Sequence, residues 1–440
     1  MRASPGSSHS EVGRAARAGI LLVAAGGIAG VLNLLFNVVV ARGSGVQQYG
    51  AIGPLLTLVT IFGLLATGFQ YSVARITALD SRPGHELLGT ALRVVLPWAL
   101  LVLLLAVLAW PMSAFLRIAS PVAFVLIAAL AAVGILGSAV SGLLVGLRRF
   151  RVIAGLVVGS ALLRVILGLK FGHGPAAITG SVVASVIPGV VALFVGLGAV
   201  AFTGMHRGPE PRPSPAALAN GSSPPASSLA AALISSALWC VWGLPMLFAR
   251  HSLGPTAAGD FAAGQLLAGA IVWGTAPLVT AFFPTIARSG GLAPLVSGGL
   301  ATLGLALGGL AVLTAIGPLM IHTVYGMAFR PPRVLLLSLA ASATVTSAAT
   351  FACWSAMARG LQWPTLGLLG VAFAVDLVWV SLAGHSATRL AVGPLVSFVI
   401  CALGLSLGIL FHRRRVSSLV HPLDQSAVSL PTSPHAGTDP

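Results

Sequence analysis

The sequence predicts an all-α polytopic membrane protein of about twelve transmembrane helices, in two six-helix lobes related as parallel repeats. Composition is the first observation, because 57% of the 440 residues are hydrophobic and only 7% are charged. A soluble domain carries about 25% charged residues, so much of this chain's surface must face lipid. The other two observations are a series of long apolar runs and a short motif that occurs twice.

The apolar runs define the predicted helices in order. A membrane crossing needs about 20 apolar residues, and twelve runs come close to that length. The first follows Arg14 and Arg17 and is too long for a signal-peptide core, so we expect it to remain as a membrane helix. The runs cover residues 18–41, 51–73, 90–112, 121–147, 152–169, 176–203, 229–249, 259–284, 292–317, 334–357, 362–384 and 388–411.

The order of these runs predicts five segments. Residues 1–17 form a cytoplasmic N-terminal tail, and residues 18–203 form an N-lobe of six helices. Residues 204–228 are rich in Pro, Ser, Ala and Gly, which is typical of a linker, here a cytoplasmic one. Residues 229–411 form a C-lobe of six helices, and the polar residues 412–440 are predicted to be a disordered cytoplasmic tail.

The repeated motif relates the two lobes. ARGSGVQQYGA at residues 41–51 resembles ARHSLGPTAAGDFA at residues 249–262, and each copy follows one apolar run and opens another. Six predicted helices separate the copies, so both have the same orientation in the membrane, as in parallel repeats. Many transporters are built from such repeats, and the motif therefore favours a two-lobed transporter.

The positions of the basic residues predict the topology. With the N-terminus inside, 16 of the 24 Lys and Arg residues lie in cytoplasmic segments and 7 in external ones, which leaves Arg164 within a helix. Because basic loops remain cytoplasmic, both termini are predicted to be cytoplasmic. The formal charge of +16 then reflects topology, and we expect the lipid bilayer rather than nucleic acid as a partner. The strong preference for arginine over lysine is typical of a GC-rich bacterial genome, so the plasma membrane of a bacterium is the expected location.

Two charged residues lie well inside predicted helices. Arg164 follows Arg151 by 13 residues, or about 20 Å along a helix. An arginine at mid-membrane costs about 2.5–3.5 kcal/mol on insertion scales, so Arg164 is predicted either to bind an anionic head group in a cavity or to extend to the outer interface. Asp376 lies about halfway along the eleventh helix. It is predicted to act in transport, by relaying protons, binding a cation or pairing with an arginine, or to form a structural hydrogen bond.

Small and polar residues form a stripe on each of the first two helices. Such stripes predict either the wall of a polar central cavity or close helix packing. In the cavity interpretation, Asn33, Asn37 and Gln70 contact the substrate together with Arg164 and Asp376. The stripes consist of Gly26, Gly30, Asn33 and Asn37 on the first helix, and of Thr57, Thr60, Gly63, Thr67 and Gln70 on the second.

Several classes of activity have no support in the sequence. The sole lysine, Lys170, is followed by Phe171, so the chain has no GxxxxGK[ST] phosphate-binding loop. Its three cysteines, Cys240, Cys353 and Cys401, lie in apolar runs and lack metal-binding spacing. No nucleophile, base and orienting group occur together. We therefore expect neither an enzyme nor a cofactor or metal site.

Both copies of the motif resemble segments of one family. In the first half, asparagines in the first helix precede Ala41-Arg42, Gly45, Tyr49-Gly50 and Ala74-Arg75; in the second, Gly254-Pro255 precedes Ala258-Gly259-Asp260-Phe261. This pattern resembles the polysaccharide-biosynthesis flippases, which handle lipid-linked oligosaccharides. They belong to the multidrug/oligosaccharidyl-lipid/polysaccharide exporter superfamily. The resemblance in hydropathy covers about residues 18–411.

The resemblance implies two lobes around a central cavity that opens alternately to each side of the membrane. It also implies a glycan on a polyprenyl pyrophosphate carrier as substrate, with Arg164 suited to the anionic pyrophosphate, and a glycan polymerase or glycosyltransferases as partners. Two alternatives remain. One is a cation-coupled multidrug or small-molecule antiporter with Asp376 as the coupling acid, although the first six predicted helices lack the acidic residues typical of the drug exporters. The other is a non-transporting membrane scaffold for glycan assembly.

Overall fold

The computed structural model describes residues 6–79, 84–203, 224–289 and 292–426. Within these ranges the regular elements are all helices, as predicted, and a single 3₁₀ turn, Leu105–Leu108, joins the second and third of them. The helices are α1 (Gly6–Leu79), α2 (Gly84–Leu104), α3 (Ala109–Phe115), α4 (Val122–Gly146), α5 (Phe150–Phe171), α6 (Ala177–Thr203), α7 (Pro224–Ser252), α8 (Pro255–Ser289), α9 (Ala293–Tyr325), α10 (Arg333–Ala358), α11 (Gln362–Leu382) and α12 (Ala387–Ser426).

The first helix breaks at one residue. Gly45 has φ 74° and ψ 169°, a conformation that suits glycine because it lacks a Cβ. The chain is helical on both sides of this break, so residues 42–50, between the first two predicted membrane runs, continue the helices up to a turn at Gly45. Arg42, Gly43 and Gly45 interrupt the apolar pattern between the two runs, but a single glycine makes the turn.

The two arms of α1 run in opposite directions. Leu22 and Phe69, which lie far from the break on either side, pack in the same hydrophobic cluster. Phe36 and Ile52, which lie nearer the break, pack together in another. Eleven stretches of the described residues are long and apolar enough to cross a membrane, and the first, Ala24–Ala74, contains both arms. The chain therefore crosses about twelve times, which confirms the predicted architecture.

Several helices extend beyond their apolar runs, among them α9 and α12. α9 continues to Tyr325, past the predicted end at residue 317. α12 continues to Ser426, into the segment predicted as a tail. Hydropathy marks the part of a helix that crosses hydrocarbon, not the point where its hydrogen bonding stops. Residues 1–5, 204–223 and 427–440, which belong to the predicted tails and linker, lie outside the described ranges.

Helices α1–α6 form the N-lobe and α7–α12 the C-lobe. At one end of the bundle, here called the clasp end, the break in α1 meets the ends of α5, α7 and α9, and the end of α7 meets the loop that follows α3. Asp260 fixes one of these loops, because its Oδ1 accepts a hydrogen bond of 2.8 Å from the backbone N–H of Arg330. Tyr49 packs there against Tyr325 and Phe329, at ring-centroid distances of 6.2 and 5.9 Å.

The two copies of the repeated motif contact each other at the clasp end. A Cβ on Gly50 would lie 2.7 Å from the carbonyl oxygen of Pro255, and a Cβ on Gly259 would lie even closer to the carbonyl oxygen of Val46. Real Cβ atoms essentially never approach another atom within 3.0 Å. Both positions therefore require glycine, and the copies meet backbone to backbone between the lobes.

The lobes also meet along a seam between the second arm of α1 and α7. A Cβ on Gly243 would collide with Thr57, and a Cβ on Gly68 would collide with Ala232, nearer the opposite end. The second arm of α1 and α7 are therefore in close contact both at Gly243 and at Gly68, nearer the opposite end. Only glycine allows the helices to approach so closely.

The first arm of α1 and the inner part of α8 are less covered. Gly26 and Gly30 are exposed, and a Cβ on either would meet nothing within 4 Å. On α8, Trp273 is 52% exposed, although it lies three turns beyond Ala262 on the face that packs against Gly53 near the clasp end. The face that joins the lobes at the clasp end is thus only partly covered further along α8, where the Trp273 ring packs against that of Trp239 on α7.

Candidate functional site

The arginine that the sequence singles out lies among three helices of the N-lobe. Arg164, on α5, donates from Nε to Ser185 Oγ on α6 at 3.1 Å. Its Nη1 donates to Asn33 Oδ1 on α1 at 3.0 Å. The guanidinium carbon also lies 4.3 Å from the centroid of the Phe36 ring, one turn further along α1. The structure therefore brings two of the predicted site residues, Arg164 and Asn33, into direct contact.

All of these contacts are with uncharged groups. Within the residues that the structure describes, no carboxylate pairs with Arg164. The two hydrogen bonds use two of the five N–H donors of a guanidinium, and the side chain is partly exposed. A charge within a membrane bundle normally pairs with an opposite charge or a polar cavity. The arrangement thus provides an oriented cation that retains donors for an anion.

A short polar chain extends from this arginine toward the clasp end. Asn37 Nδ2 donates to the backbone oxygen of Asn33 at 2.8 Å. The hydroxyl of Tyr49 lies 3.5 Å from Asn37 Oδ1, at the limit of a hydrogen bond. Tyr49 in turn packs against C-lobe aromatic residues, so Asn37 lies between the arginine site and the contact of the two lobes.

The other two predicted site residues lie elsewhere. Gln70 is partly exposed on the second arm of α1, where its backbone packs against Gly142 of α4, and none of the contacts of Arg164 involves it. Asp376 lies in the C-lobe, on α11, which packs against α7 and α12. The five predicted residues therefore do not form one cluster.

Asp376 is completely buried. Neither of its carboxylate oxygens has a hydrogen-bond partner within the described part of the chain. Its Oδ1 lies against the Cα of Gly393 on α12, close enough to collide with any Cβ there. The hydroxyls of Ser236 and Ser397 are likewise buried without a partner among the described residues. A buried carboxylate of this kind is costly unless it takes up a proton or a cation.

Replacing Gly393 by alanine is expected to destabilise the C-lobe by about 1–3 kcal/mol, the usual cost of overpacking. The new methyl group would displace the carboxylate of Asp376 or separate α11 from α12. Thermal unfolding of the purified protein in detergent measures the effect. Gly408→Ala is the matched control, since Gly408 lies on the same helix and a Cβ there meets nothing within 4 Å. Equal melting temperatures for the two variants would contradict the packing described for Asp376.

The sequence reasoning missed Ser185 and Phe36 as neighbours of Arg164. Ser185 was predictable, because α5 and α6 form a hairpin whose loop is centred near residue 174, and residues 164 and 185 lie almost equally far from it. Phe36 lies three residues after Asn33 and so shares its helical face. Finding either neighbour requires knowing which helices pack against α5, and the spacing of residues within one helix does not show this.

The helices and their two lobes have the fold of solved MOP-superfamily transporters. The structure is similar to an inward-facing multidrug transporter of the MATE family, with a TM-score of 0.66 and 13% identity over 91% of this chain and 96% of that chain. It is similar to the lipid II flippase MurJ in an inward closed conformation, with a TM-score of 0.64 and 12% identity over 94% of each chain. A MOP-superfamily transporter from Pyrococcus furiosus gives a TM-score of 0.59 and 15% identity over 92% of this chain and 96% of that one.

The family follows from sequence. The profile of the family described as polysaccharide biosynthesis protein matches residues 15–289, more than half of the chain. The chain belongs to this family, which confirms the resemblance seen in the repeated motif. No curated protein matches the chain significantly.

Proposed function

We propose that this protein moves a lipid-linked oligosaccharide or polysaccharide precursor across the plasma membrane by alternating access. Membership of the polysaccharide biosynthesis family supports a glycan precursor as the substrate. The likeness in fold to a lipid II flippase supports a lipid-linked one. The single observation that carries the proposal is Arg164, a cation inside the membrane whose partners among the described residues are all uncharged.

Arg164 binds the pyrophosphate that joins the glycan to its polyprenyl carrier. A guanidinium presents a planar fork of N–H donors that matches phosphate oxygens, and such charge-assisted hydrogen bonds are strong. Asn33 and Ser185 already orient the fork through its Nη1 and Nε. Asn37 and Gln70 offer amides to the glycan on the two arms of α1.

The polyprenyl chain remains in the lipid while the head group crosses. The less covered faces of the first arm of α1, at Gly26 and Gly30, and of α8, at Trp273, support an opening on this side of the bundle. The closed seam between the second arm and α7 supports a barrier on the other side. Such an asymmetric opening suits a substrate with a water-soluble head and a lipid tail.

The clasp end faces away from the cytoplasm in this proposal. It carries few basic residues, as expected of external loops, and both termini are then cytoplasmic. The head group enters from the cytoplasm and leaves at the clasp end once the lobes separate there. Glycosyltransferases that build the precursor and a polymerase that consumes it are the expected partners. The basic residues at the clasp end are Arg42, Arg117, Lys170, Arg250, Arg330, Arg333 and Arg389.

Lipid extraction from a strain that lacks the gene tests the proposal. Mass spectrometry of polyprenyl-linked glycans is expected to show accumulation of a complete precursor, and expression of the wild-type protein is expected to reverse it. A strain that accumulates no such lipid, but becomes sensitive to cationic compounds, would instead favour a cation-coupled drug exporter.

Asp376 supports cation coupling as a second element of the function. Its buried, unpartnered carboxylate is suited to bind a proton or a small cation that is released when the C-lobe changes conformation. Transport by purified protein in liposomes is expected to depend on an imposed Na⁺ or H⁺ gradient, and Asp376→Asn is expected to abolish that dependence. Asp260→Asn is the matched control, because its amide oxygen can still accept the hydrogen bond from Arg330. If Asp376→Asn retained the wild-type dependence on both gradients, coupling through Asp376 would be wrong.

A further inference from the structure

Two arginines at the clasp end connect the lobes in the same way. Arg42 of the N-lobe donates from Nε to the backbone oxygen of Val324 at 2.8 Å and from Nη2 to that of Thr323, in the last turn of α9. Arg250 of the C-lobe donates from Nε to the backbone oxygen of Leu116 and from Nη2 to that of Arg117, both at 3.1 Å, just after α3. Each guanidinium thus donates hydrogen bonds to two successive backbone carbonyl groups of the other lobe.

These two contacts are equivalent under the repeat. Arg42 follows Ala41 in the first copy of the motif, and Arg250 follows Ala249 in the second. Each arginine reaches the end of the third membrane crossing of the opposite lobe, formed by α2 and α3 in the N-lobe and by α9 in the C-lobe. An isolated surface contact would have no such counterpart. The symmetry indicates that both arginines serve the interface of the lobes.

The physical basis is similar at both contacts, with the difference that the carbonyl group of Arg117 lies just beyond the C-cap of α3. The last carbonyl groups of a helix lack intrahelical donors and carry the negative end of its dipole. A guanidinium supplies two donors in a fixed fork together with a positive charge. When the lobes separate at this end, both carbonyl pairs lose their donors at once. The contacts therefore stabilise one conformation of the protein and are absent from the other.

The two arginine contacts differ in the residues that surround them. Beside Arg250, His251 lies with Nδ1 2.8 Å from the backbone oxygen of Phe115, and its ring stacks on Phe115 at a centroid distance of 4.3 Å. Next to Arg42, Gly43 packs against the backbone of Gly172. Arg250 is also less exposed than Arg42. The contact of Arg250 is thus expected to be the stronger one.

We propose that Arg42 and Arg250 form a two-part clasp that holds the lobes closed at this end, and that both contacts must break before the lobes separate there. This inference rests on the alternating access in the proposed function, although it concerns conformation and not the substrate. In each copy of the motif, the glycine of the close contact between the lobes, Gly50 or Gly259, follows the arginine by eight or nine residues.

Distances between spin labels at the clasp end test the proposal. Labels replace Val122 of the N-lobe and Leu382 of the C-lobe, which are 50% and 78% exposed, with Cys240, Cys353 and Cys401 changed to alanine. Pulsed electron resonance then gives the populations with the lobes closed and open. Arg42→Gln with Arg250→Gln is expected to raise the open-to-closed ratio about tenfold, since each contact joins a charged donor to carbonyl groups. Each single variant is expected to give a smaller shift, larger for Arg250→Gln.

Arg330→Gln is the matched control. It removes the same charge from the same end, but among the described residues the side chain of Arg330 donates to the backbone oxygen of Met327 in its own loop and not to the N-lobe. If the double variant does not fold, Arg42→Lys and Arg250→Lys, which retain the charge and lose the fork, are expected to give intermediate shifts. Distance distributions equal to those of wild type and Arg330→Gln would overturn the clasp. A shift without transport of lipid-linked glycan would support the clasp and count against the proposed function alone.

Discussion

Arg164→Ala is expected to reduce export of the lipid-linked glycan at least about thirtyfold, because truncating one partner of a buried charge pair costs about 2–5 kcal/mol. The variant removes the cation proposed to bind pyrophosphate, and no other cation contacts Asn33 or Ser185 among the described residues. Arg164→Lys is expected to retain part of the activity, since the charge remains but the fork of donors is lost. Accumulation of the precursor in cells that express only the variant measures the effect.

Arg151→Ala is the control for this prediction. Arg151 lies on the same helix, α5, but is exposed near the end opposite the clasp. Its loss is expected to leave export near the wild-type rate. Export by Arg164→Ala at the wild-type rate, in protein present at the wild-type level, would contradict the pyrophosphate site. It would then favour a non-transporting scaffold, which needs no charge inside the membrane.

Gly259→Ala is expected to cause the second large effect, a loss of both stability and transport. The new Cβ would overlap the carbonyl oxygen of Val46, a backbone atom that cannot move without moving α1. Overpacking in a core costs about 1–3 kcal/mol, and a backbone neighbour places this substitution at the upper end. The expected result is a lower melting temperature in detergent, together with reduced export.

Gly254→Ala separates this collision from a general effect of alanine. Gly254 lies in the same copy of the motif, and a Cβ there would meet nothing within 4 Å. We expect wild-type stability and export for that variant. If Gly259→Ala matched Gly254→Ala in both measurements, the backbone contact between the two copies would not hold the lobes together.

Much of the fold could be predicted because a helix that crosses the membrane must be apolar, and hydropathy shows this directly in the sequence. The number of crossings and the two lobes followed from apolar runs and one repeated motif. The turn at Gly45 could not, since the sequence does not show that a single residue reverses the chain. Hydropathy also does not show the extension of α12 through residues 412–426, because polar residues can continue a helix into water.

The candidate site was predictable in part for a similar reason. Arg164 stands out because an arginine within an apolar run is costly, and Asn33 shares a helical face with the other polar residues of α1. The partners of Arg42 and Arg250 are backbone carbonyl groups of the other lobe. Backbone groups leave no signal in sequence, so these contacts appear only once the lobes are docked.

Transfer of a fluorescent polyprenyl-pyrophosphate-linked glycan across liposomes that contain the purified protein tests the central claim most directly. A membrane-impermeant reagent that destroys the fluorescence of exposed head groups reports the fraction that has moved to the other leaflet. The account predicts rapid transfer with wild-type protein and with Arg151→Ala, and transfer at the protein-free rate with Arg164→Ala. Wild-type protein that transfers the lipid no faster than empty liposomes, with and without imposed ion gradients, would contradict it.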